Sequence, residues 1–307
     1  MEFFKQNTNI DFMAQRKWAA LFSIVLFLLS IGSLAVKGLN WGLDFTGGIQ
    51  IQLSFPEVAD LTLIRNNLDQ AGFKEAIVTS YGTSKDVLVT LTSSGNAENQ
   101  QDRLTKQVVQ VLPSAKVEQV NYIGPQVGNE MVTKSWLAII VALLGTMIYI
   151  AARFEKRFAV ASTVALIHDP VIILGIFSFL HLEFNLITLA AILTVIGYSL
   201  NDTIVIFDRV RENFRKLRKA SALEVMNQAI NQTLSRTIMT SALTLTVVLA
   251  LFFLGGSLLH GFSLALIIGI VVGTYSSIYV AGALSIALGL SRFHLLPPVK
   301  EALDNRP

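Results

Sequence analysis

The stretch LTVIGYSLNDTIVIFDRVREN (residues 193–213) places a carboxylate inside an apolar run. It begins like a membrane-spanning helix, meets Asn201 and Asp202, returns to apolar residues and ends in charge from Asp208 onward. An acid near the middle of a membrane helix costs about 2.5–3.5 kcal/mol on insertion scales, so it faces a bundle interior and needs a partner. The stretch therefore indicates a helix bundle built around a functional polar site.

The composition agrees with a membrane protein. Of the 307 residues, 52% are hydrophobic and 15% charged, whereas about 25% are charged in soluble domains. The absence of cysteine excludes disulfide frameworks and thiolate catalysis. Six apolar runs, each near the ~20 residues that cross a bilayer, predict transmembrane helices at 18–36, 135–152, 158–180, 186–207, 238–256 and 261–284. The predicted fold is a polytopic α-helical membrane protein with six transmembrane helices.

Charge distribution predicts the orientation. Lysine and arginine concentrate in the tails 1–17 and 285–307, the turn 153–157 and the loop 208–237. The short loops 181–185 and 257–260 contain neither residue. Basic residues mark the cytoplasmic side, so both termini are predicted to be cytoplasmic and residues 37–134 external. Orientation also explains the net charge of +3, and no nucleic-acid partner is expected.

The external region 37–134 alternates strand and helix patterns. Strands are predicted at 48–55, 76–81, 86–92 and 116–123, helices at 59–71 and 97–112, and a turn at 82–84. The order βαββαβ is that of the α+β, ferredoxin-like split βαβ fold. The region contains no histidine and its acids are scattered. A binding or mechanical role is therefore favoured over catalysis.

Asp202 lies on a predicted polar face of span 4. Thr194 and Tyr198 precede it at i−8 and i−4, and Asn201 is adjacent. The candidate partner is Arg236, which opens the antiparallel span 5 with Thr240 at i+4. Two interpretations remain open: a static salt bridge that orders two helices, or an acid that loads and releases a proton.

His168 and Asp169 form a second polar pair, inside span 3 and directly before Pro170. Proline in a helix frees a backbone carbonyl and can kink the helix. The pair is therefore either part of a proton path or a means of satisfying a kinked backbone.

Small residues recur every four positions along span 6, at Gly261, Ala265, Gly269, Gly273, Ser277 and Ala281. Such a ladder, which includes a GxxxG motif, permits close helix approach in lipid. It predicts a packing face centred on Gly269, Gly273 and Ser277.

Four motifs together resemble a known family. They are WGLDFTGG (41–48), ALIHDP (165–170), VIGYSLNDTIVIFDRVREN (195–213) and RTIMTS (236–241). In this order, and with one large external loop after the first span, they resemble the SecD/SecF family of bacterial protein-export membrane proteins, in particular its SecF branch. The resemblance covers about residues 15–290. Pro170 departs from it, since an aliphatic residue is expected there.

The resemblance implies half of an RND-type transporter in the inner membrane, with a periplasmic external domain. It implies a SecD partner, work beside SecYEG, contact with YajC and YidC, and an unfolded exported polypeptide as cargo. It implies that the proton-motive force drives export, with protons as the coupling ion and no cofactor, metal or catalytic residue. Asp202 and Arg236 match the family's proton-relay residues. The glycine-rich motif, with Gly42, Asp44, Thr46, Gly47 and Gly48, is expected to connect membrane and external domain.

Two other functional classes compete with a translocase subunit. A half-size RND-type exporter of small molecules or lipids predicts a large apolar pocket in the external domain, which at under 100 residues is small for one. An intramembrane protease or acyltransferase is less supported, because His168 and Asp169 lack a nearby nucleophile motif or metal-ligand spacing.

Overall fold

The computed structural model describes residues 9–74, 76–81, 83–91, 98–217 and 219–291. Six helices in this part of the chain are long and apolar enough to cross a membrane. The predicted turn residue Gly82 and most of the two predicted tails lie outside the described residues.

The first span leads directly into the glycine-rich motif. Helix α1 (Arg16–Lys37) ends at Gly38, whose φ of +68° lies in the region that glycine adopts most easily. Strand β1 (Asn40–Trp41) and the single-turn helix α2 (Leu43–Thr46) follow.

The external domain is a four-stranded antiparallel sheet covered by two helices. Its elements are β2 (Gly48–Ser54), α3 (Leu61–Gln70), β3 (Ile77–Tyr81), β4 (Thr83–Leu91), α4 (Glu98–Val111) and β5 (Lys116–Ile123). The strand order is β3-β4-β2-β5, with every pairing antiparallel. This order confirms the predicted ferredoxin-like arrangement.

Alternation along β2 explains why the sheet has one covered face. Ile49, Ile51 and Leu53 are fully buried under the helices, and Gln50 and Gln52 project from the other face. The amide-bearing face looks toward the membrane part, where it forms one wall of a cleft.

The remaining elements build the membrane part. They are α5 (Pro125–Arg153), α6 (Lys156–Phe179), β6 (Glu183–Phe184), α7 (Leu186–Lys216), α8 (Ala222–Leu254), α9 (Gly256–Ser276), a π-helical turn (Ser277–Ala281) and α10 (Gly282–Ala287).

Several helices extend past the predicted spans. α5 starts at Pro125, ten residues inside the region assigned to the external domain. The loop 208–237 is largely helical, because α7 continues to Lys216 and α8 begins at Ala222. A capping box of Ser221 and Glu224 starts α8, as its sequence pattern predicts. Apolar composition marks where a helix meets hydrocarbon, whereas hydrogen bonding and amphipathic packing determine where it ends.

Three helices form the centre of the bundle. The most apolar windows of α6, α7 and α9 are 67%, 56% and 50% buried, against 11% in each of α1, α5 and α8. Small residues allow the close packing of these helices with each other and with α1. Gly269 of α9 lies against Val195 of α7, and Gly175 of α6 lies against Ser30 of α1. The packing partner of the small-residue face of span 6 is therefore α7 of the same chain.

Replacing Gly269 by leucine should separate α7 from α9, because a β-carbon at this position already overlaps the Val195 side chain. Overpacking of this kind costs about 1–3 kcal/mol. The midpoint temperature of thermal unfolding in detergent should therefore be lower. It is measured as the fraction of protein that remains monodisperse on gel filtration after heating. Gly145→Leu is the matched control, since nothing lies within 4 Å of its β position. Equal midpoints for the two variants would contradict the assigned packing.

Candidate functional site

Asp202 is buried in the bundle without a hydrogen-bond partner. Its relative exposure is 4%, and its Oδ2 atom is fully enclosed with no donor within reach. Thr237 of α8 has a similarly enclosed and unpartnered hydroxyl oxygen. The cross-helix bonds Tyr198–Ser241 (3.4 Å) and Asn213–Gln232 (3.0 Å) bracket these two residues along α7 and α8. Two unsatisfied polar groups thus occupy the same section of the α7–α8 interface.

The predicted ion pair with Arg236 does not form in this structure. Arg236 is exposed, and within the described part of the chain no contact of 4.0 Å or less joins its guanidinium to the Asp202 carboxylate. The buried face of α8 runs through Thr233 and Thr237. Arg236 precedes Thr237 by one residue, about 100° around the helix. Its guanidinium is therefore out of hydrogen-bond contact with Asp202, although it is near enough to act on the carboxylate electrostatically.

The predicted polar face of α7 is also displaced. Thr194 and Asn201 are exposed, and the Thr194 hydroxyl donates to its own helix at Ala190 (2.8 Å). Thr240 likewise donates only to backbone carbonyls of α8. Next to Asp202, the polar residues that α7 buries are instead Ser199 and Thr203. Spacing identifies residues that share a face, but the neighbouring helices determine which face is internal.

The densest polar cluster surrounds Asp169, which is completely buried. Its Oδ2 accepts hydrogen bonds from Ser199 of α7 (2.6 Å) and Ser276 of α9 (2.9 Å). Its Oδ1 lies 3.0 Å from Nδ1 of His168. One carboxylate therefore joins the three central helices, and the predicted His168–Asp169 pair lies at their meeting point.

The π-helical turn extends this cluster. Ser277 accepts a hydrogen bond from Thr203 (2.9 Å) and donates to the Ser199 carbonyl (3.1 Å). Gly273 makes room for the contact, since a β-carbon there would approach the Ser199 Oγ to 3.2 Å and the Asp169 Oδ2 to 3.5 Å. Sequence reasoning identified Ser277 as a packing residue and missed Ser199, Thr203 and Ser276. One signal in the sequence could have found them, namely the two adjacent serines Ser276 and Ser277. A π-helical turn can direct two neighbouring side chains toward the same interior.

The glycine-rich motif joins the external domain to the start of α7. β1 pairs in parallel with β6, and the Gly42 amide donates to the Phe184 carbonyl (2.9 Å). The Asp44 carboxylate accepts the Leu186 amide (2.9 Å), which is an unpaired donor at the first residue of α7. A side chain at Gly42 would meet the Glu183 carboxylate at 2.7 Å. The helix that carries Asp202 is thus fixed at its outer end by this motif.

The rest of the motif completes the junction. The Thr46 hydroxyl donates to the Gly42 carbonyl (3.2 Å). Gly47 and Gly48 have φ values of +68° and +138°, which favour glycine. Gly128 of α5 lies so close that a β-carbon there would reach the Phe45 carbonyl at 2.7 Å. These contacts place the motif between α5, α7 and the first strand of the sheet, as its expected connecting role requires.

A cleft of about 1010 Å³ lies between the amide-bearing face of the sheet and the outer ends of the membrane helices. Glu183 and Asp44 lie in its wall, together with His260. The Glu183 side chain is open to solvent on one side, but the cleft removes water from its carboxylate and Asp44 adds a like charge. Desolvation foremost, and then this repulsion, raise the pKa of Glu183 above its ordinary value.

No residues suited to a metal ion come together in the described part of the chain, where no group of three His, Cys, Asp or Glu is close enough to hold one.

Comparisons with known proteins match almost the whole chain. Residues 103–291 match the family model described as protein export membrane protein SecD/SecF, C-terminal, and residues 32–55 match the SecD/SecF GG motif. The protein translocase subunit SecF of Vibrio alginolyticus is 47% identical, over 97% of this chain and 95% of that protein. The SecF subunit of Pseudomonas aeruginosa is 45% identical, over 97% and 98%.

A solved structure has the same fold. The crystal structure of SecDF, a translocon-associated membrane protein from Thermus thermophilus, superposes with a TM-score of 0.83 at 40% identity. The alignment covers 93% of this chain and 39% of the SecDF chain. A second SecDF structure, in the super-membrane-facing form, gives a TM-score of 0.70. The present chain thus spans well under half of the solved protein.

The raised pKa of Glu183 predicts a junction that loosens with increasing pH. A carboxyl group whose folded pKa lies above its unfolded value stabilises the fold below 4.5, and that contribution is lost as pH rises through the folded pKa. Hydrogen exchange of the Gly42 amide, corrected for intrinsic rate, should show protection falling over this window. Glu183→Gln should flatten the profile, and Glu130→Gln, at an exposed side chain of α5, should leave it as in the parent. An identical profile for parent and Glu183→Gln would refute the effect.

Proposed function

The chain belongs to the SecD/SecF family of protein-export membrane proteins, and we propose that it acts as a SecF-type translocase subunit that draws on the proton-motive force. In this role it promotes translocation and release of exported polypeptides. Support comes from the family match over most of the chain, which includes both the membrane part and the glycine-rich junction. It is a multi-pass membrane protein, and the role requires no catalytic residue or cofactor.

The observation that carries proton coupling is the buried, unpartnered Oδ2 of Asp202. An unpaired ionised carboxylate in such a place is costly, so in the proposed cycle Asp202 binds its proton in this conformation. Each elementary charge moved through 100 mV is worth about 2.3 kcal/mol. Release and reloading of this proton can therefore bias a two-state movement of the bundle.

Arg236 is the proposed partner of Asp202 in the second state, in which the acid has lost its proton. Its guanidinium is exposed on α8, one residue from the buried Thr237. A rotation of α8 relative to α7 would bring it toward the Asp202 carboxylate after the proton has left. An ion pair would then replace the protonated acid, and the two helices would alternate between two arrangements.

The SecD partnership is supported by the SecDF structures, in which this fold forms part of a longer chain. The outward side of α7 and α8 fits such a partner, because Thr194, Gly197, Asn201 and Arg236 are exposed there. Polar and charged side chains rarely face lipid, whereas small and polar residues are typical of helix contacts. Work beside SecYEG, with YajC and YidC, follows from family membership.

The proposed placement in the bacterial inner membrane is supported by family membership, and the proposed orientation by the charge pattern. Arg153 and Asp208 form an ion pair (3.2 Å) at the end of the bundle away from the external domain, and Arg211 lies beside them. Basic residues mark the cytoplasmic side, so both termini lie in the cytoplasm and the external domain in the periplasm.

Force reaches the exported chain through the junction at the start of α7, where Asp44 binds the first residue of the helix and Gly42 binds β6 just before it.

In the described part of the external domain, buried apolar side chains such as Ile51, Leu68 and Val89 fill the interior. This packing leaves no room there for the large apolar pocket that the exporter alternative requires.

Asp202→Asn should retain folding and assembly and abolish the proton-dependent part of export, because an amide cannot release a proton. Export into inverted membrane vesicles, with and without an imposed proton gradient, measures this part. Asp208→Asn, six residues along the same helix and in a 42% exposed side chain, is the matched control. Normal gradient-dependent export by Asp202→Asn would overturn the assignment.

Arg236→Lys should reduce the same gradient-dependent export at least partly. Lysine keeps the charge and loses the planar fork that pairs with a carboxylate. The exposed Arg153, changed to lysine, provides the comparison in the same assay. If Arg236→Lys exported at the parental rate, a role for the arginine in pairing would be ruled out.

A further inference from the structure

We propose that His168 is a second proton-accepting group of the bundle, with Nε2 as the accepting atom and Asp169 as the residue that orients and stabilises it. This inference rests on the proposed proton-driven function and assigns it a further residue pair. The proton binds the Nε2 lone pair and leaves from the same atom, so that neutral imidazole and imidazolium alternate and no other bond changes.

The hydrogen bonds around Asp169 define its charge. Two hydroxyls, from Ser199 and Ser276, point at the same oxygen, Oδ2, at 2.6 and 2.9 Å. Donors that converge on one carboxylate oxygen stabilise the ionised form. In the proposed dyad Asp169 therefore acts only as a hydrogen-bond acceptor.

The charge of Asp169 in turn fixes the histidine. Because the carboxylate only accepts, the Nδ1 atom of His168, 3.0 Å from Oδ1, carries a hydrogen. In the neutral ring this leaves Nε2 as a bare acceptor. Nε2 is buried without a hydrogen-bond partner, in a side chain that is 6% exposed. A buried ring nitrogen with a free lone pair and an anion bound to the opposite nitrogen is built to receive a proton, as in other carboxylate–histidine pairs.

The elements packed against α6 supply no competing partner. α1 presents the Phe27 ring, parallel to the imidazole with centroids 6.2 Å apart. Titratable groups in the middle of the other neighbours include Tyr149 on α5, Tyr198 and Asp202 on α7, Tyr275 on α9 and Tyr279 on the π turn. The remaining ones lie toward the helix ends: Glu130, Lys134 and Arg153 on α5, the charged residues of α7 from Asp208 onward, and His260 on α9. Among the described residues none of them hydrogen-bonds to His168 Nε2.

Protonation alters the cluster that joins the three central helices. With a neutral imidazole, the dyad carries the single negative charge of Asp169. With an imidazolium, it has no net charge. The Asp169 carboxylate then shares its charge with an imidazolium as well as with Ser199 and Ser276. Occupancy of Nε2 thereby changes how strongly α6 holds α7 and α9.

The tautomer can be observed directly. The chain has four histidines, and changing His181, His260 and His294 to glutamine leaves His168 as the sole imidazole. Nitrogen-15 NMR of the full chain, labelled at this histidine and placed in lipid bilayers, should show Nδ1 protonated and Nε2 bare at alkaline pH. Nε2 should gain a proton on acidification. Asp169→Asn in the same background should lose the tautomer preference. A ring protonated at Nε2 throughout, or one that gains no proton there before the protein unfolds, would refute the proposal.

The functional arm compares His168→Gln with His181→Gln in the vesicle assay, with the SecD partner present. His181 lies exposed between α6 and α7 and should behave as the parent. His168→Gln should lose at least half of the gradient-dependent export and most of its variation between pH 6 and 8. A parental pH profile for His168→Gln, while Asp202→Asn is inactive, would refute this inference alone. An active Asp202→Asn would instead refute the proposed function, and the NMR titration would still decide the role of His168.

Discussion

The Asp169 carboxylate is the interaction on which the membrane part of this chain depends. A buried anion is tolerated only with donors around it, and each donor comes from a different element: His168 on its own helix, Ser199 on α7 and Ser276 on α9. Apolar contacts alone give little orientation to helices in lipid, because hydrocarbon packs against leucine equally well. The hydrogen bonds to Asp169 therefore set the rotation of the central helices, and the small residues Gly269 and Gly273 allow them to approach.

The two buried acids of the bundle, Asp169 and Asp202, have opposite hydrogen-bonding environments. Asp169 has donors on both oxygens, whereas Asp202 has none on its enclosed Oδ2. The first arrangement satisfies its carboxylate, and under the proposed function the second would let a proton bind and leave. A bundle that alternated between two states would need both: a fixed point about which helices pack, and a group whose charge can change. Thr237 of α8 has a further enclosed hydroxyl without a hydrogen-bond partner among the described residues.

α7 connects the membrane chemistry to the external domain. It is one unbroken helix from Leu186 to Lys216, held at its first residue by the Asp44 carboxylate and, through β6, by the Gly42 amide. Its middle carries Asp202, and Ser199 of the same helix binds Asp169. Under the proposed function, movement of this helix would therefore be transmitted to β2 of the sheet, which follows the motif directly. The cleft beneath the sheet is the space that such a movement would open or close.

The sequence by itself determined the helical membrane architecture, the ferredoxin-like external domain and the burial of Asp202 and the His168–Asp169 pair, because hydropathy, alternation and the cost of burying charge act locally. Only the tertiary structure decided which faces meet. It turned Thr194 and Asn201 outward, left Arg236 unpaired with Asp202, and gathered Ser199 and Ser276 around Asp169. Residues four apart share a helix face in any sequence, but helix rotation depends on contacts between segments as distant as 169 and 276, and no local pattern records it.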